Sequence, residues 1–185
     1  MYYGKINKTD IANGEGVRVS LFVSGCRRGC KGCFNQVTWD FKYGSLFTKE
    51  VEDEIIDALK PSYIEGLTIL GGEPFEKENQ EALYPFVKKV REIYPTKSIW
   101  MYSGYQIDND MLKENGIVHT KYTYDILSLI DILVDGRFMI DLYNLALKYR
   151  GSSNQRIIDV KKTLKLKEIV LSPLNDYRDF RPMDK

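Results

Sequence analysis

The chain has 185 residues, of which 43% are hydrophobic and 29% are charged, and its 27 basic and 26 acidic residues give a formal net charge of +1. Such a composition is typical of one folded domain, and the balanced charge argues against the broad field that attracts nucleic acid or anionic membranes. The chain shows neither a secretory signal nor an apolar run near the ~20 residues of a membrane helix, so we expect a cytoplasmic protein that binds neither nucleic acid nor membrane.

The strands are predicted first from apolar and β-branched runs. Residues 17–23 form the first strand, which leads directly into a cysteine-rich loop. Further strands are predicted over residues 66–70, 98–102 and 130–134, with a late strand over residues 168–172.

Helices are predicted between these strands. Thr48 can cap a helix that Pro61 stops, and a second amphipathic helix runs over residues 83–94, with Pro85 able to kink its first turns. Short helices are predicted over residues 108–115 and 124–129.

The alternation of strands and helices predicts an α/β fold with mostly parallel strands, whose sites lie at the carboxyl ends of the strands. A complete eight-fold barrel needs ~250 residues, so we expect a partial, open (β/α) barrel. No linker or repeat divides the chain, which predicts a single domain over residues 1–185.

All three cysteines of the chain lie within eight positions, at Cys26, Cys30 and Cys33. In a reducing compartment this clustering favours metal ligands over disulfides. Unrelated buried thiols or a structural zinc site are alternatives, but zinc needs a fourth ligand and the sole histidine, His119, is distant in sequence. An iron-sulfur cube held by three thiolates leaves one iron open for chemistry.

The spacing Cys26-x3-Cys30-x2-Cys33 resembles the motif of the radical S-adenosylmethionine (SAM) superfamily. The resemblance implies that the three cysteines bind a [4Fe-4S] cluster and are catalytic. It also implies that SAM binds the open iron and that its reductive cleavage yields a 5′-deoxyadenosyl radical. The superfamily commonly has an aromatic residue before the last cysteine, where this chain has Gly32, and Phe34 is expected to cover the adenine instead. We therefore place Gly32, Cys33 and Phe34 beside the cofactor.

The segment Gly71-Gly72-Glu73-Pro74 resembles the GGEP element of the superfamily. By itself, Gly-Gly after a strand is usually a turn. The resemblance implies that the backbone of Gly71 and Gly72 and the acid of Glu73 receive the SAM ammonium.

Two further polar residues follow predicted strands. Resemblance to glycyl-radical activases implies that Ser103 and Asp135 face the SAM carboxylate, directly or through a cation. Asp135-Gly136 is equally a good turn pair, and an Asp at a strand end can cap a following helix, so both interpretations stay open.

Four stretches are similar to one branch of the superfamily, the activating proteins of anaerobic ribonucleoside-triphosphate reductase. They are DIANGEGVR (10–18), CFNQVTW (33–39), LVDGRF (133–138) and RGSSNQR (150–156). The similarity extends to about residue 158, so residues 159–185 form a C-terminal extension of uncertain role. The function of residues 150–156 is also open, with docking of a partner as our hypothesis, and no role is predicted for Arg18.

The resemblance implies an oxidoreductase that generates a glycyl radical on the large subunit of the reductase, supplied by a flavodoxin- or ferredoxin-type electron donor. One alternative is another small radical SAM enzyme, similar to the deazaguanine synthases or to the activase of pyruvate formate-lyase. A second alternative is a non-catalytic iron-sulfur or zinc module.

Overall fold

The structure is a computed structural model that describes residues 1–176. Its strands are β1 (Tyr2–Asp10), β2 (Val17–Val23), β3 (Ser45–Leu46), β4 (Ile64–Gly71), β5 (Ser98–Tyr102), β6 (Ile132–Asp135) and β7 (Arg156–Asp159). Its α-helices are α1 (Lys49–Ala58), α2 (Lys77–Ile93), α3 (Thr123–Leu129) and α4 (Val160–Leu166). No helix in this part of the chain has both the length and the apolarity that crossing a bilayer requires.

The seven strands form one sheet in the order β3-β1-β2-β4-β5-β6-β7. The four central strands, β2, β4, β5 and β6, are parallel to one another. The outer strands β1, β3 and β7 pair antiparallel with their neighbours. The expected open α/β sheet with a parallel centre is therefore confirmed, and β3 and β7 are its two edges.

The elements predicted from apolar runs match the structure most closely. Strands β2 and β5 have the predicted bounds, and α1 follows Thr48. Helix α2 begins at Lys77, earlier than predicted, and continues through Pro85. The predicted helix over residues 108–115 is instead a π-helical turn, Ile107–Met111.

Four departures from the prediction lie near the chain ends. Strand β1 was not predicted because its exposed lysines interrupt the alternation of a strand that is only partly buried. Strand β7 and helix α4 were not predicted either. The predicted late strand over residues 168–172 is wrong, since Leu171 makes only an isolated bridge to Ile158.

The main hydrophobic core lies on one face of the sheet, beneath the helices, where alternate strand residues such as Val19, Leu21 and Ile69 are fully buried. The opposite face carries polar and aromatic side chains, including Arg18 and Trp100. The cysteine loop begins at the carboxyl ends of the parallel strands, at one end of this second face.

Arg18 is fully buried at the start of β2, and its guanidinium lies 5.3 Å from the centre of the Trp100 ring. Its five N–H groups have five acceptors: Thr68 Oγ1 at 2.7 Å, Ser98 Oγ at 2.8 Å, and the carbonyls of Leu67 at 2.9 Å, Ser98 at 3.0 Å and Glu15 at 3.2 Å. Burial lowers the pKa of Arg18 to about 10, so it stays charged at neutral pH. The role that the sequence left open is to join β2, β4 and β5 at the end opposite the cysteines.

The described part of the predicted C-terminal extension packs against the fold. Val160 and Thr163 of α4 are buried. The amide of Asn175 donates to the carbonyl of Ile157 and accepts from its N–H at 3.1 Å, as another strand would. Residues 159–176 therefore support the β7 edge, and the rest of the predicted extension, residues 177–185, lies outside the described residues.

Candidate functional site

One cavity of about 830 Å³, including its open mouth, lies at the carboxyl ends of the parallel strands. Eight of the predicted site residues line it: Cys26, Cys30, Cys33, Phe34, Gly71, Gly72, Glu73 and Ser103. They come from loops that follow β2, β4 and β5, so parallel pairing brings together segments that are far apart in the chain.

The cysteine loop is held in place mainly by backbone hydrogen bonds. The N–H of Gly25 donates to Thr38 O at 2.8 Å, and the N–H of Cys26 donates to Trp39 O at 3.2 Å. On its other side, Gly25 O accepts from the N–H of Glu73 at 2.9 Å. The loop therefore lies between the GGEP segment and residues 38–39, fixed to both.

Gly72 is required by this close approach of backbones. A Cβ atom at Gly72 would lie 2.7 Å from Gly25 O and 3.0 Å from Thr38 O. Gly71 adds a positive φ of 111°, which favours glycine. In this structure the two glycines bring the GGEP and cysteine loops together.

Glu73 is buried, and its carboxylate faces the loop that follows β5. Its Oε1 accepts from Ser103 Oγ at 2.8 Å and from the N–H of Phe75 at 2.9 Å, and its Oε2 accepts from the N–H of Gly104 at 2.7 Å. Burial raises the pKa of Glu73 to about 7, against the opposing effect of these donors. A cation beside Glu73 would favour its ionised form, so the carboxylate is suited to receive an ammonium group.

Two buried residues next to the site support the loops, and sequence reasoning missed both. The amide of Asn79 in α2 donates to Ser24 O and to Glu73 O, each at 2.9 Å. Glu76 accepts from the N–H of Arg27 at 2.7 Å and from its guanidinium at 2.6 Å. Both residues follow the GGEP segment within one or two helical turns, and that proximity is the only signal the sequence offered.

The donor set fits an iron-sulfur cluster. The three thiols are free and border one cavity, and burial raises the pKa of Cys26 to about 12, so a metal ion is needed to hold it as a thiolate. The N–H of Asn35 donates to Cys33 Sγ at 3.4 Å, a contact that tunes cluster thiolates. Within residues 1–176 no three metal-ligand side chains converge on one ion. A cube has a different requirement, because each thiolate binds its own iron.

Gly32 and Asp135 do not line the cavity, although both were predicted to lie beside the cofactor. Gly32 has a φ of 75°, and a Cβ there would lie 3.0 Å from Ile140 Cδ1, which explains why no aromatic residue occupies this position. Asp135 is buried on the helix side of the sheet, where it accepts from Arg156 at 2.6 and 2.8 Å and from the N–H of Ile107 at 2.9 Å. Burial raises the pKa of Asp135, and the Arg156 guanidinium opposes that shift.

Several lining residues had no predicted contact with the cofactor: Arg28, Trp39, Tyr102, Gly104, Phe138 and Gln155. The guanidinium of Arg28 lies 4.6 Å from the centre of the Tyr105 ring. Tyr102 directly precedes Ser103, and the side-chain alternation of β5 places it on the same face as Trp100. That alternation was a usable signal for Tyr102.

The segment over residues 150–156 turns most of its polar groups inward. The Arg150 guanidinium donates to Gln155 O at 2.7 Å and to Asn175 Oδ1 at 3.0 Å, and Arg156 pairs with Asp108 as well as with Asp135. The amide oxygen of Gln155 accepts from the N–H of Gly151 at 2.9 Å. The hypothesis that both guanidinium groups bind a partner is therefore not supported by their contacts.

Comparison with known proteins agrees with this donor set. The sequence profile of the family described as "4Fe-4S single cluster domain" matches residues 12–158. A protein of Haemophilus influenzae is 42% identical over 159 residues, which cover 85% of this chain and 97% of the relative. A relative from Escherichia coli K12 is 39% identical over 157 residues, which cover 84% of this chain and 96% of the relative. A relative from phage T4 is 37% identical over 157 residues, which cover 85% of this chain and 93% of the relative. All three relatives are named anaerobic ribonucleoside-triphosphate reductase-activating protein.

Proposed function

Because this chain belongs to the family of anaerobic ribonucleoside-triphosphate reductase-activating proteins, with a 4Fe-4S single cluster domain, we propose that it installs a glycyl radical on the large subunit of that reductase. The observation that carries the proposal is the shared cavity, in which all three cysteines face the GGEP loop at the open end of the sheet. A structural zinc module would place its ligands around one ion, with no second loop required opposite them.

The residues of the cavity divide into two groups by chemistry. Cys26, Cys30 and Cys33 would hold the [4Fe-4S] cluster, and Glu73 would receive the ammonium of SAM. When bound, the cluster and SAM would supply a 5′-deoxyadenosyl radical able to abstract a hydrogen atom from a backbone glycine of the reductase. Ser103 positions Glu73 through their 2.8 Å hydrogen bond.

The Asp135 carboxylate has a positioning role in this proposal. Its contacts with Arg156 and with the N–H of Ile107 fix the loop that follows β5 against the end of β6. Ser103 and Gly104 begin that loop, so Asp135 supports the partners of Glu73 from behind.

We further propose that the open sheet is a partial barrel of the radical SAM type, built as a single domain. The polar face with Arg18 and Trp100 is then its inner wall. A wall that does not close admits a polypeptide segment, whereas a closed barrel mouth suits small molecules. A flavodoxin- or ferredoxin-type protein in the cytoplasm as the electron donor stays a prediction.

The test is to incubate the anaerobically reconstituted protein with the purified reductase, SAM and a reductant. A glycine-centred paramagnetic signal on the reductase is expected, and the Cys33→Ala variant should give none. A protein that cleaves SAM but never yields this signal would act on a metabolite or on another glycyl-radical enzyme. A cluster indifferent to SAM would indicate an electron carrier instead.

A further inference from the structure

A strip of apolar side chains borders the mouth of the cavity, in the long loop between β6 and β7. Within residues 139–145, sequence MIDLYNL, five large hydrophobic side chains are exposed: Met139, Ile140, Leu142, Tyr143 and Leu145. Leu145 reaches 78% exposure. Contiguous exposed apolar surface of this kind marks interaction sites in folded proteins.

The strip is continuous with the cavity itself. The Tyr143 ring lies 5.9 Å from the ring of Phe34 and 6.2 Å from the ring of Phe138, between ring centres. Phe34 and Phe138 are 5.4 Å apart and both line the cavity. Any protein whose backbone enters the cavity on this side therefore covers the strip.

The strip is also held in a defined shape, because the backbone of residues 151–153 lies beneath it. The N–H of Ser153 donates to Leu142 O at 3.0 Å, and the N–H of Asn144 donates to Gly151 O at 3.2 Å. The buried Ser152 accepts from the N–H of Met139 at 3.2 Å. An exposed surface that is fixed by its own scaffold loses little conformational entropy when a partner binds.

We propose that residues 139–145 form the docking surface for the reductase, and that the RGSSNQR segment is the scaffold that presents it. This inference rests on the proposed function, since the occupant is the protein whose glycine must reach the cavity. The contact is apolar and short-ranged, in agreement with a net charge of +1 that gives little electrostatic steering.

The test uses Leu145→Glu and Met139→Glu, because neither side chain lines the cavity. Ile117→Glu is the matched control, since Ile117 is 62% exposed and is not a cavity-lining residue. Each reconstituted variant is assayed for SAM cleavage without the reductase, and for the activase concentration that gives half-maximal glycyl radical on the reductase.

We expect both strip variants to keep SAM cleavage and to raise that half-maximal concentration about tenfold or more, as for loss of an interface hot spot, while the control behaves as wild type. Strip variants equal to the control would overturn the docking surface and leave the proposed function intact. Loss of SAM cleavage would assign the strip to the cofactor site, and a change in self-association alone would assign it to a second copy of this chain. If wild-type protein forms no glycyl radical, the proposed function itself fails.

Discussion

Replacing Gly72 with Ala tests whether the two loops of the site depend on close backbone contact. The added Cβ would lie 2.7 Å from Gly25 O, whereas carbon–oxygen contacts are about 3.3 Å or longer. The loops must then separate by about 0.6 Å. The hydrogen bond from the N–H of Glu73 to Gly25 O, now 2.9 Å, would be stretched beyond the usual limit of about 3.2 Å.

The expected loss follows from these two effects. Overpacking costs about 1–3 kcal/mol and a lost buried backbone hydrogen bond about 1 kcal/mol, so the unfolding free energy of Gly72→Ala should fall by about 3 kcal/mol. For a chain of this size, that loss lowers the melting temperature by about 6–12 °C. The same shift moves Cys26, so less iron should be retained after reconstitution.

Gly29→Ala is the matched control within the same loop. Gly29 has a φ of 54°, so alanine there costs about 1–2 kcal/mol of backbone strain, but nothing lies within 4 Å of its added Cβ. We expect Gly29→Ala to keep the wild-type iron content. Thermal unfolding of the cluster-free proteins and iron analysis of the reconstituted proteins measure both effects. Equal iron loading in the two variants would refute the argument from loop contact.

Four further predictions follow from the site and the side chains described above. In Glu73→Gln the carboxylate becomes an uncharged amide, whose NH2 group must face the N–H of either Phe75 or Gly104. Because the charge that would receive the SAM ammonium is lost, the SAM concentration that alters the reduced cluster spectrum should rise about tenfold. The control Glu78→Gln should leave that concentration unchanged. The pKa of Glu73 is raised to about 7 from 4.5, so the wild-type metal-free chain should lose stability as pH rises through this window, and Glu73→Gln should flatten the slope. Arg156→Met leaves buried Asp135 without its cation and should cost about 3–5 kcal/mol in urea unfolding, recovered in part when Asp135→Asn is added. Air should bleach the iron chromophore and activity of the loaded protein, because a cube with three thiolates exposes one iron; full activity after aerobic purification would contradict this.

The sequence predicted the centre of the sheet well because apolar runs report burial directly. Strands β2 and β5 are buried at most positions and have no exposed residue, so their bounds were visible. Strand β1 is half-exposed and irregularly paired, with register shifts after Tyr3 and Asn7, which hides its alternation. Strand β7 has only four residues and follows a long loop, so its pairing partner was not visible locally.

In the site, position was predictable and side-chain direction was less so. Glu73 and Ser103 follow parallel neighbours, so the rule for strand ends brought them together correctly. Asp135 also ends a strand, but it lies two residues after Leu133, whose side chain packs under the helices. Because side chains alternate along a strand, Leu133 and Asp135 lie on the same, helix-covered side of the sheet, and this signal was present in the sequence. The partner of Arg150, Asn175, lies in a segment without a recognisable pattern, so its inward contact was not predictable.

The backbone bonding of the cysteine loop has a consequence for how freely its side chains can change. The N–H and carbonyl groups of residues 25, 26, 30 and 33 fix the course of the loop, and every amino acid except proline supplies the same groups. Lys31 is exposed, so its side chain contributes little to the fold, whereas Gly29 has open space around it but a φ of 54° that favours glycine. Mutational libraries and affinity labels directed at such intervening positions can thus vary the entrance to the cavity while the spacing of the sulfur atoms is conserved.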